Sequence, residues 1–122
     1  KRPRVDPGTY SSLTLRQCAS LLRQTKALDT RRYFALPVDP IALGIPDYPL
    51  IIQEPMDLGT IEARLDTSEY RTVEDFVADI RLVFYNARIY NPATSDVVIT
   101  AAKMEDEFEK KLSSLSGTSA AR

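Results

Sequence analysis

The stretch that decides the fold is VEDFVADIRLVFYNARIY, Val73 to Tyr90. Val73, Phe76, Val77, Ile80, Phe84 and Ala87 recur at steps of three and four, so they share one face of a helix over four turns. Thr72 and Asp75 give this segment a start resembling a capping box. The spacing predicts a helix over 73–90. Downstream, Val97, Ala101, Met104, Phe108, Leu112 and Leu115 predict a second helix over 97–115. Upstream, Leu58, Ile61 and Leu65 share the face of a short helix over 57–65, with Asp57 as its N-cap. Leu15, Cys18, Ala19 and Leu22 mark a further helix over 12–28, where Cys18 reads as a small buried hydrophobe. No segment alternates as a strand does. Leu50-Ile51-Ile52 is apolar, but it lies between Pro49 and Pro55 and is too short to seed a sheet. The fold is therefore all-α. Four amphipathic helices with apolar steps of three and four suit antiparallel bundle packing at a shallow crossing angle.

Between the first two helices lies an unusual segment, residues 29–55. Five of the eight prolines fall in it, at 37, 40, 46, 49 and 55. Proline stiffens the chain and removes backbone donors. Yet the segment also holds Tyr33, Phe34, Leu36, Val38, Ile41, Leu43, Ile45, Tyr48, Leu50, Ile51 and Ile52, which a solvated linker would not carry. It should fold back and pack on one end of the bundle. Long ordered loops of this kind are usually functional, and an apolar loop closing over a bundle end is a natural place for a pocket.

Composition narrows the function. The chain has 122 residues, enough for one domain with a real core. Sixteen basic and seventeen acidic side chains leave a net charge of −1, which argues against a non-specific nucleic-acid binder. There is no His, so His-based triads, His general bases and most zinc sites are excluded. A single cysteine, Cys18, allows no internal disulfide and no cysteine metal cluster, and fits a reducing compartment. The longest charge-free run, Leu112 to Ala121, is far too short to span a membrane. Neither a nucleophile–base constellation nor a phosphate loop is present, so an enzyme is not expected, and no metal or cofactor is either. Residues 1–11 are polar and read as a flexible leader. Its cluster of Lys1, Arg2 and Arg4 is either a solvated terminus or part of a nuclear import signal. Residues 116–122 read as a disordered tail. The chain begins with Lys and is expected to be a piece of a longer protein.

PVDPIALGIPDYPLIIQEPMDLGTIEARL, Pro37 to Leu65, followed by NARIYNP, Asn86 to Pro92, resembles a bromodomain. The match spans residues 12–115. PVD, PDY, PMDL and YN are each short, but together, in this order and at these spacings, they are highly specific. PMDLGTIEARL is most similar to the BET-type and related transcriptional-coactivator members. The resemblance implies a left-handed four-helix bundle, with helices called Z, A, B and C, whose two loops line a pocket for acetylated lysine. It also implies a reader without catalytic activity, a place in the nucleus, and binding to acetylated histone tails and to small-molecule acetyl-lysine mimics.

Carried over residue by residue, the resemblance makes Asn91 the donor to the acetyl carbonyl. Tyr48 becomes the tyrosine that reaches the same oxygen through a water. Val38, Leu43 and Ile45 become the apolar wall of the long loop, Tyr90 the aromatic that shapes the pocket, and Val97 the gatekeeper of the last helix. Taken alone, Asn91 reads equally as an ordinary helix C-terminal residue ahead of Pro92, and Tyr48 as a turn aromatic. The chain departs from the family at the shelf. Arg32-Tyr33-Phe34 stands where members have Trp-Pro-Phe, and there is no Trp anywhere in the chain. Phe34 is kept, and Tyr33 can supply a flat surface.

The chemistry explains these residue types. Acetylation turns an ammonium into a neutral amide. An apolar pocket rejects the ammonium, because burying it unpaired costs several kcal/mol. An asparagine amide donates an N–H without attracting a cation, where an aspartate would favour the unmodified lysine. Residues 47–69 hold Asp47, Glu54, Asp57, Glu62, Asp66 and Glu69 against Arg64 alone. That is either a solvated face or a hint of a basic peptide partner. The resemblance implies acetylated H3 and H4 tail peptides as the partners, and the isolated domain is expected to be monomeric, with no direct nucleic-acid or membrane binding. The alternative is a partner-docking bundle that recognises basic peptides whatever their acetylation.

Overall fold

A computed structural model describes residues 5–116. The basic cluster Lys1, Arg2 and Arg4 and residues 117–122 lie outside the described residues. Five helices occur among the described residues, and no strand. They are α1 (Leu15–Leu28), α2 (Tyr48–Ile51), α3 (Leu58–Asp66), α4 (Val73–Tyr90) and α5 (Asp96–Ser116). The four longer helices form the expected bundle. Helix α1 packs on α3 and α5, and α4 packs on α3 and α5.

Local chemistry sets the boundaries. Helix α4 begins where Thr72 Oγ1 accepts the Asp75 N–H at 3.1 Å. Helix α3 begins where Asp57 accepts the Thr60 N–H at 2.8 Å. Helix α1 starts at Leu15 rather than at residue 12, because Thr14 and Gln17 cap it reciprocally, Gln17 N–H to Thr14 Oγ1 and Thr14 N–H to Gln17 Oε1. The one-turn α2 inside the long loop is a feature that periodicity could not show, since a single turn contains no repeat.

The core follows the α4 stripe, with Val73, Phe76, Val77, Ile80, Phe84 and Ala87 all buried. Phe76 meets Phe108 of α5 at 6.4 Å between ring centroids. Each fully buried side chain of this size contributes about 1.5–3 kcal/mol. The half-exposed Lys26–Glu62 pair at 2.6 Å contributes less than about 1 kcal/mol, so the apolar stripe holds the bundle. Three expected stripe members fall outside the core: Leu15 and Leu115 are exposed and Ala19 is half-buried, while Leu21 and Thr25 complete the buried face of α1.

The leader from residue 5 onward is not a free strand of chain. Tyr10 is buried, its N–H donates to Glu74 at 2.6 Å, and its hydroxyl lies 3.0 Å from an Arg81 nitrogen. Arg81 also grips Glu109 of α5 with two bonds of 2.7 and 2.8 Å, and the Glu109 carboxylate holds the guanidinium in its charged form. Ser12 Oγ donates to the Ser116 carbonyl at 3.3 Å, so Ser116, expected in the tail, closes α5 beside the start of α1.

The long loop packs only in part. Phe34, Tyr48 and Ile52 are buried, but Leu36, Ile41, Leu43, Leu50 and Ile51 are exposed. The expectation that the apolar residues drive the whole loop onto the bundle is corrected here. Three apolar anchors suffice, and the rest of the loop is held by hydrogen bonds from backbone groups and from the Asp29, Asp39 and Asn86 side chains.

Candidate functional site

Asp29 closes α1 and starts the loop. Its buried carboxylate accepts the N–H of Tyr33 at 2.9 Å and of Phe34 at 2.8 Å. Arg32 takes the left-handed backbone, φ +56°, to let both N–H groups point back. The turn aims Phe34 inward, edge-on against Phe84 at 5.9 Å. The Phe34 and Ala35 carbonyls then accept the Leu58 and Gly59 N–H groups, at 2.7 and 3.1 Å. Those are the first donors of α3, which no residue of that helix satisfies. A Cβ at position 59 would lie 2.5 Å from the Ala35 oxygen, so glycine permits this approach. Further on, Asp39 Oδ1 accepts the N–H groups of Ile41 and Ala42, and Ile45 N–H reaches the Pro40 carbonyl at 2.8 Å. Asn86 Nδ2 donates to the Glu54 carbonyl at 2.9 Å and fixes the far end of the loop to α4.

Together the loop, the end of α4 and the start of α5 enclose a cavity of about 290 Å³. Tyr33, Phe34, Val38, Leu43, Ile45, Tyr48, Tyr90, Asn91 and Val97 all line it. Leu36, Met56, Asp57, Val83, Asn86 and Ala87 line it too and were not singled out from the sequence. Ala87 and Val83 stand one and two turns before Asn91, which is a readable signal. Met56, Asp57 and Asn86 stand inside the quoted motifs. Asp57 is committed as the α3 cap, accepting both the N–H and the hydroxyl of Thr60.

Asn91 caps the C-terminus of α4. Its backbone N–H and its Nδ2 both donate to the Ala87 carbonyl, each at 3.1 Å, which orients the amide. Tyr48 is buried and meets Tyr90 edge to face at 4.9 Å. Burial pushes the Tyr48 phenol above its ordinary pKa, so its hydroxyl stays a neutral donor. Tyr90 donates to Asp47 at 2.7 Å, and that bond holds its own phenol protonated. Tyr33 donates to Asp96, the residue before Val97. Tyr70 lies outside this lining, buried and donating to Asp79 at 2.7 Å. The acidic run over 47–69 is less available than its composition suggests. Asp57 is buried, Glu62 pairs with Lys26, and Asp47 accepts from Tyr90. Among the described residues no group of three or more acidic or cysteine side chains is placed to hold a metal ion. None of their helices is long and apolar enough to cross a membrane. A largely apolar cavity with the oriented amide of Asn91 in its lining suits a neutral group that carries a carbonyl.

Residues 18–103 match the family model described as Bromodomain. The chain belongs to the bromodomain family. This bromodomain is 41% identical over 98 residues to the SWR1 complex bromodomain subunit bdf1 of Schizosaccharomyces pombe, covering 80% of this chain and 17% of that protein. It is 41% identical over 105 residues to the transcription factor GTE11 of Arabidopsis thaliana, covering 85% of this chain and 17% of that protein. Among solved structures, the second bromodomain of Candida albicans Bdf1, bound to an imidazopyridine, superposes with a TM-score of 0.74 at 40% identity. That match covers 80% of this chain and 94% of the other. The chain spans less than a fifth of the length of these two relatives. These relatives are BET-like, and the bromodomain is a reader of acetyl-lysine in chromatin and transcription rather than an enzyme fold.

Proposed function

We propose that this bromodomain binds acetylated lysine on histone H3 and H4 tails through the cavity beside Asn91, as part of a nuclear regulator of chromatin or transcription. The observation that carries the reading is the pairing of a largely apolar lining with the oriented, uncharged amide of Asn91. An amide nitrogen has two N–H groups. One of Asn91 goes to the Ala87 carbonyl, and the other serves the acetyl oxygen. Tyr48, kept protonated by burial, completes the bonding through an ordered water. Val38, Leu43, Ile45 and Val97 enclose the methylene stem, Tyr33 and Phe34 form the shelf, and Tyr90 braces Tyr48. The one carboxylate in the lining, Asp57, is already committed to the N–H and hydroxyl of Thr60, so a lysine ammonium placed here would be desolvated without a dedicated partner.

Calorimetric titration with multiply acetylated and unmodified H3 and H4 peptides tests the reading. Affinity on the order of micromolar or weaker is expected, because the buried ligand is small. Small acetyl-lysine mimics compete for the same cavity. Asn91→Ala removes the donor at a cost of about 1–3 kcal/mol, enough to erase binding of that strength. Binding that ignores both acetylation and the substitution would instead support a bundle that docks basic peptides.

A further inference from the structure

We propose that the outward face of α1, with the Arg31–Arg32 turn that follows it, is a docking surface for the phosphate backbone of double-stranded DNA. None of its bases lines the cavity beside Asn91, so the surface is separate from the acetyl-lysine site. A net charge of −1 describes the chain as a whole, but the bases are segregated within it. Residues 15–32 hold Arg16, Arg23, Lys26, Arg31 and Arg32 against Asp29 alone. Asp29 is buried and turned onto the N–H groups of Tyr33 and Phe34, so it does not offset these bases at the surface. Arg16, Ser20, Arg23 and Ala27 fall within about 60° of one another around α1, opposite the buried Cys18, Leu21, Leu22 and Thr25. Arg16 and Arg23 are exposed, and Ser20 and Ala27 are small and uncharged, so a broad partner can approach this face closely.

Pairing separates these bases from the others. Arg64, Arg81, Arg88, Lys110 and Lys111 each meet an acid. Lys26 meets Glu62, and Arg31 lies 3.6 Å from Asp96. Arg16, Arg23 and Arg32 form no ion pair among the described residues. Free guanidinium groups on an exposed face suit phosphate, which they can grip with two bonds at once. Fourteen residues make α1 about 21 Å long, and over that length a DNA duplex carries about a dozen phosphates. The setting selects DNA among polyanions. The C-terminus of α1 leads through Asp29 into Tyr33 and Phe34, which line the cavity. DNA along α1 and a tail peptide in the cavity would therefore lie side by side, as they do in chromatin, where this family reads acetyl-lysine.

Fluorescence anisotropy of a labelled DNA duplex with the whole chain tests the surface, beside an RNA duplex and phosphatidylserine vesicles. Neutralising three phosphates predicts weak binding, on the order of 10–100 µM at about 50 mM salt, that falls about fortyfold by about 200 mM. Arg16→Gln combined with Arg23→Gln keeps two good helix formers. It should weaken DNA binding at least about tenfold and flatten the salt dependence to that of about one contact, with the thermal melt and acetyl-peptide affinity unchanged. Arg32→Asn tolerates the φ of +56° and should weaken DNA binding several-fold by itself. No DNA binding by folded wild type at low salt, or DNA binding unchanged in both variants, overturns the proposal. Tighter binding to the RNA duplex or to the vesicles than to DNA overturns the assignment to DNA. Acetyl-peptide titration is read separately, so the failure of one site is distinguished from the failure of the other.

Discussion

Gly59→Ala sets two effects against each other, and the structure says which wins. Alanine is the better helix former by up to about 1 kcal/mol, and Gly59 is the second residue of α3. Propensity alone would make the variant more stable. But the new methyl would sit 2.5 Å from the Ala35 carbonyl oxygen and 3.1 Å from an Asp57 carboxylate oxygen. The first of these is backbone and cannot swing aside. Relieving the clash forces the loop from α3, at about 1–3 kcal/mol for overpacking. It also breaks the 3.1 Å bond from Gly59 N–H to Ala35, a further loss of about 1 kcal/mol. The net expectation is a destabilisation of about 1–3 kcal/mol, a fall in Tm of about 4–12 °C for a domain of this size. Ala35 lies between Phe34 and Leu36, both of which line the cavity, so acetyl-peptide affinity should fall as well. Urea unfolding and calorimetric titration of the same preparation measure both. A variant as stable as the wild type, or more so, would refute the reasoning, because it would mean that the loop is not pinned to α3 at this contact.

Asp29→Asn keeps one acceptor but turns an NH₂ toward a backbone N–H, so one of the bonds to Tyr33 and Phe34 is lost. A loss of about 2 kcal/mol in denaturant unfolding is expected, with weaker ligand binding as Phe34 loosens. Cys18 gives an alkaline signature. Burial, helped by the charge of Glu74, pushes its thiol from 9.0 up to about 12, so the unfolded chain releases the proton first. Stability from this group is whole below pH 9 and lost as pH rises from 9 toward 12, amounting to about 1 kcal/mol between pH 8 and pH 10. Cys18→Ala should flatten that part of the urea-midpoint profile, and an identical slope in both proteins would contradict it.

What the sequence showed of the fold was what repeats locally. The α4 stripe and the Thr72 and Asp57 caps needed no tertiary information, because the spacing of side chains on one helix is fixed by its geometry. Tyr10 was hidden for the opposite reason. Its partners Glu74 and Arg81 lie more than sixty residues away, and the polar composition around it resembles an unpacked terminus. The loop divides in the same manner. Ile41 and Ile52 are the same residue type in the same segment, yet Ile41 is 90% exposed and Ile52 4%. Only the path of the chain separates them. The resemblance brought nine residues to one cavity, but it passed over Val83 and Ala87 because a motif read as letters does not display which face those letters share.

The bond between Ser12 and Ser116 carries a consequence for any longer chain that holds this domain. It joins the approach to α1 with the end of α5, at the end of the bundle away from the loop, Asn91 and Val97. Chain entering and chain leaving therefore meet at one base. A module attached in this way is a side branch and not a spacer: it adds almost nothing to the contour between its neighbours, and a pull on the flanking chain loads the base while the reading end hangs free.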